Sequence, residues 1–378
     1  MKLLFVDFKL PQLLKDAEFP AGGWTVQLRQ LLLGLAEAGH RCGVLTWKGA
    51  NAYVGAQSVC DLIETYDPAR GIRRLRLLTY YLPSFYRATR SYRPDVIIQS
   101  CASTDTATTA LTAWSLKIPF VHRIASDIDA DGRNVRYLNP RDRVGFYYGL
   151  RSCQLVICQN SHQLGHIRRQ FPAKASGVLY NAIQIPSSAA ALRPRAKRSY
   201  VAWLGNFSRP KNLPLLLEVA QALPEIEFRI AGTLTIDQQH APTLQALDAL
   251  KRLANVTFVG YVKRDAVWDF LNGAIALLCT SDFEGFSNTF LEAFATGTPV
   301  VLRSIVDPDA IIRENGLGLV ANDSGALVRG LREMCAMNAD RHEALGQHCR
   351  RYVEDHHAPA AAVRKLISIL EPMTERRP

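Results

Sequence analysis

The sequence predicts an α/β protein made of two doubly wound domains. Three observations carry that expectation. Short apolar runs alternate with amphipathic stretches along the whole chain, the pattern of parallel strands covered by helices. Glycine-bearing loops follow several of the apolar runs and lead into helices. A length of 378 residues suits two domains with ample cores.

The elements follow in order. Met1 to Asp7 reads as the first strand, being too short and too soon interrupted for a signal peptide. Gly22 and Gly23 precede a helix that ends near Gly39 and His40, and Cys42 to Thr46 is the next strand. Residues 1–182 form the first predicted domain. Residues 183–197, with Pro186, Pro194 and several Ser and Ala, read as a linker. Residues 198–357 form the second domain and residues 358–378 a final helical segment, begun near Pro359. Within the second domain Tyr200 to Leu204 is a strand, followed by a loop containing Gly205. Ala274 to Thr280 is a buried strand. Asn288 to Ala295 is a helix with Ser287 as N-cap, stopped by Gly297 and Pro299 before the strand Val300 to Leu302.

Composition sets bounds. Apolar content of 48% and charge of 21% are ordinary for a soluble globular protein. No apolar run reaches the ~18 residues of a membrane span. The 8 cysteines form no C-x-x-C pair, which points to reduced thiols, a cytoplasmic chain and no zinc site. The spacing Asp127, Asp129, Asp131, Gly132 invites a calcium loop, but the position that needs a glutamate is Leu138, so no metal is expected.

The chemistry concentrates around Glu284 and Glu292. Glu284 falls in the loop at the C-terminal end of a strand and Glu292 one turn into the next helix, the end of an open α/β sheet where ligands bind. The amides of Phe286, Ser287, Asn288 and Thr289, following Gly285, lie at a helix N-terminus and favour an anion, most often phosphate. A carboxylate only accepts hydrogen bonds, so the two glutamates should face hydroxyl groups, one holding a ribose and one a sugar ring. Arg209 and Lys211 sit near the start of a helix, where cations oppose the helix dipole unless they meet an anion. One diphosphate lying between the two loops accounts for both. The plainer alternative is a solvated glutamate, a capped turn and a solvated pair of cations.

Gly205, Lys211 with Asn212, the strand glycine Gly232, Val256 to Gly260, the Glu284 to Glu292 spacing, and Ala295, Gly297, Pro299 and Val300 occur in this order. Together they resemble the C-terminal domain of a retaining GT-B glycosyltransferase, similar to glycosyltransferase family 4, with the glutamates matching its E-x7-E motif. The resemblance continues through Gly22, Gly23, Val156 to Cys158, Ser161 and Val178 to Ala182. It implies two Rossmann-like domains facing across a cleft, the terminal helix crossing back onto the first domain, and a nucleoside-diphosphate-sugar as co-substrate with no resident cofactor. It further implies donor contacts from Gly205, Asn206, Gly232 and Tyr261, leaving-group stabilisation by Lys211, and sugar orientation by Glu284. The loop of Gly22 and Gly23 would serve the acceptor or a phosphate. Two positions depart from the family pattern. Asn206 stands where an arginine is usual, with Arg209 the substitute cation, and the first domain offers Asp127 where a histidine is usual, His122 lying inside its strand.

Charge is uneven: residues 1–182 carry a net +10 and residues 183–378 a net +1. Residues 71–93 hold six arginines and no acid among many Leu, Tyr and Phe, a stretch able to lie on an anionic membrane or meet an acidic acceptor. Equally, it reads as a core helix whose arginines snorkel to water. No nucleic-acid module accompanies the charge. The expected activity is sugar transfer to a lipid-linked or saccharide hydroxyl in glycolipid or cell-surface polysaccharide synthesis. A nucleotide-sugar epimerase or phosphorylase, or a non-catalytic sugar-nucleotide binder, is the alternative.

Overall fold

The computed structural model describes all 378 residues except 16–18, 20–21, 54–58, 73–74, 134–137, 190, 235–239 and 375–378. The chain divides into two units: residues 1–182 with 359–378, and residues 183–358.

The first unit carries seven strands: β1 (Lys2–Val6), β2 (Arg41–Thr46), β3 (Asp61–Glu64), β4 (Val96–Ser100), β5 (Phe120–Arg123), β6 (Leu155–Cys158) and β7 (Ala175–Val178). They form one parallel sheet in the order β3-β2-β1-β4-β5-β6-β7. Strand β1 shows why such runs read as continuously apolar. Leu3 and Phe5 face one core, with Leu28 and Leu32 of the helix Gly23–Glu37 and Leu366 and Leu370 of the helix Pro359–Thr374. Leu4 and Val6 face the other, with Phe85 and Phe146. Side chains alternate across a sheet covered on both faces, so every position must be apolar. The chain end thus belongs to the first unit through Val363, Leu366 and Leu370.

The second unit repeats the plan with β8 (Tyr200–Leu204), β9 (Phe228–Ala231), β10 (Val256–Gly260), β11 (Ala274–Cys279), β12 (Val300–Arg303) and β13 (Gly318–Ala321). Their order is β10-β9-β8-β11-β12-β13, again parallel. In both sheets the strand order reverses beside the first strand, so each unit has a switch point, between β1 and β4 and between β8 and β11.

The stretch 183–197, expected as a linker, is packed into the second unit. Its arginines find acceptors there: the Arg195 amide donates to Glu343, and its Nη2 to the Cys335 carbonyl. The adjoining Arg198 is a buried guanidinium whose Nε, Nη1 and Nη2 all donate, to the carbonyls of Arg193, Ala274 and Thr296 and to Thr298 and Asn272.

Candidate active site

The loops after β8 and β11 meet at the switch point of the second unit. Lys211 lies in a short 3-10 turn (Arg209–Lys211), and Asn212 takes a left-handed conformation (φ 49) to cap the helix Leu213–Ala222 through its Oδ1. The Lys211 ammonium pairs with the Glu284 carboxylate at 2.5 Å. The Ser281 hydroxyl donates to the same Glu284 oxygen at 2.7 Å. Burial alone would depress the Lys211 ammonium, but the Glu284 carboxylate overrides it and raises it. The cation therefore stays charged at neutral pH, held against a partner that a more highly charged anion can replace.

Hydrogen bonds from the strand ends fix this pair. Thr280 Oγ1 donates to the Lys211 carbonyl at 2.7 Å and accepts from Trp203 Nε1 at 3.0 Å. Asp282 accepts from Asn212 Nδ2 and from Arg303 Nη1, each at 2.8 Å, and its amide donates to the Pro210 carbonyl. Asp282 thus joins both loops and β12. Neither Asp282 nor Arg303 stands out in the sequence, because their meeting depends on strand order.

Two glycines are needed by close approach. A Cβ on Gly232 (φ +155) would lie 1.9 Å from the Gly205 carbonyl oxygen, and one on Gly205 would press the Lys211 stem at 3.3 Å. The Gly232 amide donates to Gly260, just before the exposed Tyr261. Asn206 and Arg209 are exposed on the same loop as Lys211.

The helix Asn288–Ala295 begins where the sequence places it. Ser287 holds the N-cap position with extended backbone, yet its side chain makes no capping hydrogen bond. Lys211, Ser281, Ser287 and Thr289 line one small hollow, so the lysine and the helix start share a space. Between them, Gly285 carries the chain to Phe286, which is buried against the ring of His357 at 5.2 Å, and Asn288 is half-buried. Glu292, one turn further on, is half-buried. Loss of water pushes its carboxyl up to about 7, with the Arg264 guanidinium pulling part of the way back. Arg264 starts the helix Arg264–Asn272 and is a charged neighbour that sequence reasoning missed.

The remaining candidates lie in the first unit. Gly22 is the N-cap of the helix Gly23–Glu37, and both glycines are exposed. Asp127 does not end a strand: β5 stops at Arg123, and Asp127 opens a short helix (Asp127–Asp131). Its carboxylate accepts from Asn160 Nδ2 at 3.0 Å and Gln163 Nε2 at 2.9 Å, which ties it to the start of the helix Ser161–Gln170. His122 is fully buried, bonded through Nδ1 to Gln99, and desolvation holds it neutral at a pKa of about 3.

Known proteins fit this arrangement. The family model described as glycosyl transferases group 1 matches residues 185–371, and the one described as glycosyltransferase family 4 matches residues 21–185. A lipopolysaccharide core biosynthesis glycosyltransferase of Rhizobium meliloti is 29% identical over 163 residues, 40% of this chain and 46% of that protein. The match thus spans about half the length of that relative. Among solved structures, a sucrose-phosphate synthase from Thermosynechococcus elongatus superposes with a TM-score of 0.74 at 19% identity over 100% of both chains. Anabaena HepE, solved in complex with UDP and glucose, gives 0.74 at 17% identity over 98% of this chain and 100% of its own. WaaG, a glycosyltransferase involved in lipopolysaccharide biosynthesis, gives 0.66 at 16% identity, over 97% of this chain and 99% of its own.

Proposed function

The chain belongs to the GT-B glycosyltransferases of the family 4 type, and from that premise we propose that it moves a sugar from a nucleoside-diphosphate-sugar to a hydroxyl acceptor with retention. The observation that carries the reading is the shared hollow of Lys211, Ser287 and Thr289, with Glu284 on the lysine.

The anomeric C–O bond breaks with its electron pair passing to the diphosphate, and a new C–O bond forms to the acceptor oxygen. In front-face attack the departing phosphate oxygen takes the acceptor proton. Leaving-group charge is the main barrier, and a fixed cation beside helix amides stabilises it without a metal. Lys211 supplies the cation, and exposed Arg209 on the same loop adds a second. Donor entry exchanges the Lys211 contact to Glu284 for one to phosphate, which leaves the Glu284 carboxylate able to accept from sugar hydroxyls. Glu292 holds the ribose diol when ionised. Gly205, Gly232 and the backbone around Tyr261 line the nucleotide.

The acceptor is a lipid-linked or saccharide hydroxyl in glycolipid or polysaccharide synthesis. The name of the Rhizobium relative supports this, as do the exposed Ile72, Leu75 and Leu78 in the arginine-rich stretch, which suit a chain working on the inner face of a membrane. No helix among the described residues is long and apolar enough to cross one.

The test is a thermal-shift screen against UDP-, GDP- and ADP-sugars, followed by donor turnover with and without lipid-linked acceptors. A donor present at 100 times its Kd adds ~2.7 kcal/mol to stability. NMR of the product's anomeric centre reads the stereochemistry. Stabilisation by no nucleotide-sugar, or an inverted product, contradicts the proposal.

A further inference from the structure

A cavity of about 920 Å³ in the first unit belongs to no site described above. Tyr66, Arg76, Tyr81, Thr104, Asp105 and Arg141 line it. Tyr66 follows β3, Thr104 and Asp105 begin the helix Thr104–Leu116 after β4, and Arg141 lies in the first turn of the helix Pro140–Ser152. The cavity thus stands at the carboxyl ends of strands, and its volume suits a small molecule.

Its walls are of three kinds. The first is aromatic: the Tyr66 and Tyr81 rings meet edge to face at 4.5 Å, with Phe8 5.7 Å from Tyr66. Half-buried Tyr66 offers an apolar ring face to the C–H face of a sugar. The second wall is an acceptor of hydroxyl protons. Tyr81 donates to Asp105 Oδ1 at 2.6 Å, which leaves the other carboxylate oxygen without a donor among the described residues. A π-helical turn, Leu77–Tyr81, brings the tyrosine there, with the Leu82 amide donating five residues back to the Leu77 carbonyl. Such turns are rare and gather at functional sites.

The third wall is cationic. Arg141 forms no hydrogen bond or ion pair among the described residues, and Arg76 uses only Nη1, on the Pro68 carbonyl at 2.8 Å. Thr104 adds no free donor, because its amide and hydroxyl both go to Asp142. Two arginines that pair with no carboxylate, not even with Asp105 in the same cavity, suit a ligand that carries an anion and hydroxyl groups together.

We propose that this cavity binds a sugar bearing a carboxylate or a phosphate, its ring against Tyr66, a hydroxyl donating to Asp105 and its anion held by Arg76 and Arg141. A guanidinium meets either anion with two parallel N–H groups. Under the transferase reading, on which this one step rests, the sugar belongs to the acceptor, which is then an acidic glycan.

Calorimetric titration of the full chain with glucuronate, glucose-6-phosphate, glucose and inorganic phosphate tests the site, in excess UDP to fill the nucleotide loops. At least one acidic sugar should bind about tenfold more tightly than glucose or inorganic phosphate, and the tighter of the two names the anion. Arg76→Gln with Arg141→Gln should weaken that sugar by about tenfold or more. Arg151→Gln removes a charge about 15 Å along the helix from Arg141 and should leave the affinity within about twofold. Asp105→Asn keeps an oxygen for the Tyr81 bond and should shrink the preference for the acidic sugar over inorganic phosphate by about tenfold. If Asp105→Asn does not fold, the double arginine variant, changed at one half-buried and one exposed side chain, carries the test. Binding of neither acidic sugar, glucose or inorganic phosphate binding as tightly as both, or acidic-sugar affinity unmoved by the double arginine change, overturns the proposal. Acidic-sugar binding that follows these variants without any sugar transfer rejects only the transferase reading. Transfer with acceptor kcat/KM unchanged in the double arginine variant rejects only this inference.

Discussion

At the scale of single residues, the second unit turns on how two charges are kept. Lys211 stays protonated because Glu284 outweighs its desolvation. Lys211→Ala should cut kcat by ~10²–10³ through lost leaving-group stabilisation, and near-normal turnover in a folded variant would reject the role. Glu292 is the opposite case, since burial raises its carboxyl from an ordinary 4.5 to about 7. Between those values the folded protein holds a proton that the unfolded chain has lost. Stability therefore falls as pH climbs through that window, and the penalty is complete above it. Glu292→Gln should accordingly raise Tm at about pH 8, with the gain fading toward the ordinary carboxylate range, while donor affinity drops. A Tm gain equal at all pH values would show that Glu292 does not titrate there. Glu284 and Glu292 share one local spacing in the sequence, whereas the pairing of Lys211 with Glu284 joins residues 73 apart. Arg264, Asp282 and Arg303 were not legible, since each finds its partner through strand order.

At the scale of elements, the strand and helix limits were largely written in local chemistry. Asn288–Ala295 and Tyr200–Leu204 fall where apolar runs meet caps and breakers, and Gly297 at φ +64 ends its helix as a left-handed glycine should. The first-domain candidate Asp127 was harder. Nothing local signals that β5 stops at Arg123 or that Asn160 and Gln163 come round to take the carboxylate. In the stretch 183–197, proline and alanine content suggests a linker, while the acceptors for Arg195 lie more than a hundred residues away in sequence. One contact sensitive to a small change is between the ends of β8 and β9. A methyl on Gly232 would overlap the Gly205 carbonyl and sit on a backbone that disfavours side chains. Gly232→Ala should cost more than the ~1 kcal/mol typical of a substitution and displace the Lys211 loop with it. Urea unfolding and donor titration on the same sample check this. An unchanged midpoint with intact donor binding would mean the strands can separate at no cost.

At the scale of the whole molecule, the two sheets share one strand order but not one charge. Residues 1–182 carry +10 and residues 183–378 only +1, so nearly all the excess positive charge lies in residues 1–182. Ile72, Leu75 and Leu78 are 63%, 52% and 66% exposed, close in sequence to Arg70 and Arg76. Arginines 73 and 74 lie outside the described residues. Exposed aliphatic groups gain by entering a lipid interface, and each basic residue near an anionic surface adds ~1 kcal/mol. The two contributions respond differently to conditions, which makes them separable. Full-length protein should cosediment with vesicles rich in anionic lipid and be released as salt shortens the screening length. Leu75→Ser with Leu78→Ser should weaken binding even at low salt, because it removes the apolar part and leaves the charge. Neutral vesicles should retain little protein, the apolar area alone being small. Donor binding should be the same in wild type and the double variant, since Leu75 and Leu78 belong to the unit that does not carry Lys211. If the double variant binds anionic vesicles as tightly as wild type, the leucines are not an anchor. If wild type ignores such vesicles at low salt, the positive charge of the first unit serves an acidic acceptor in solution instead.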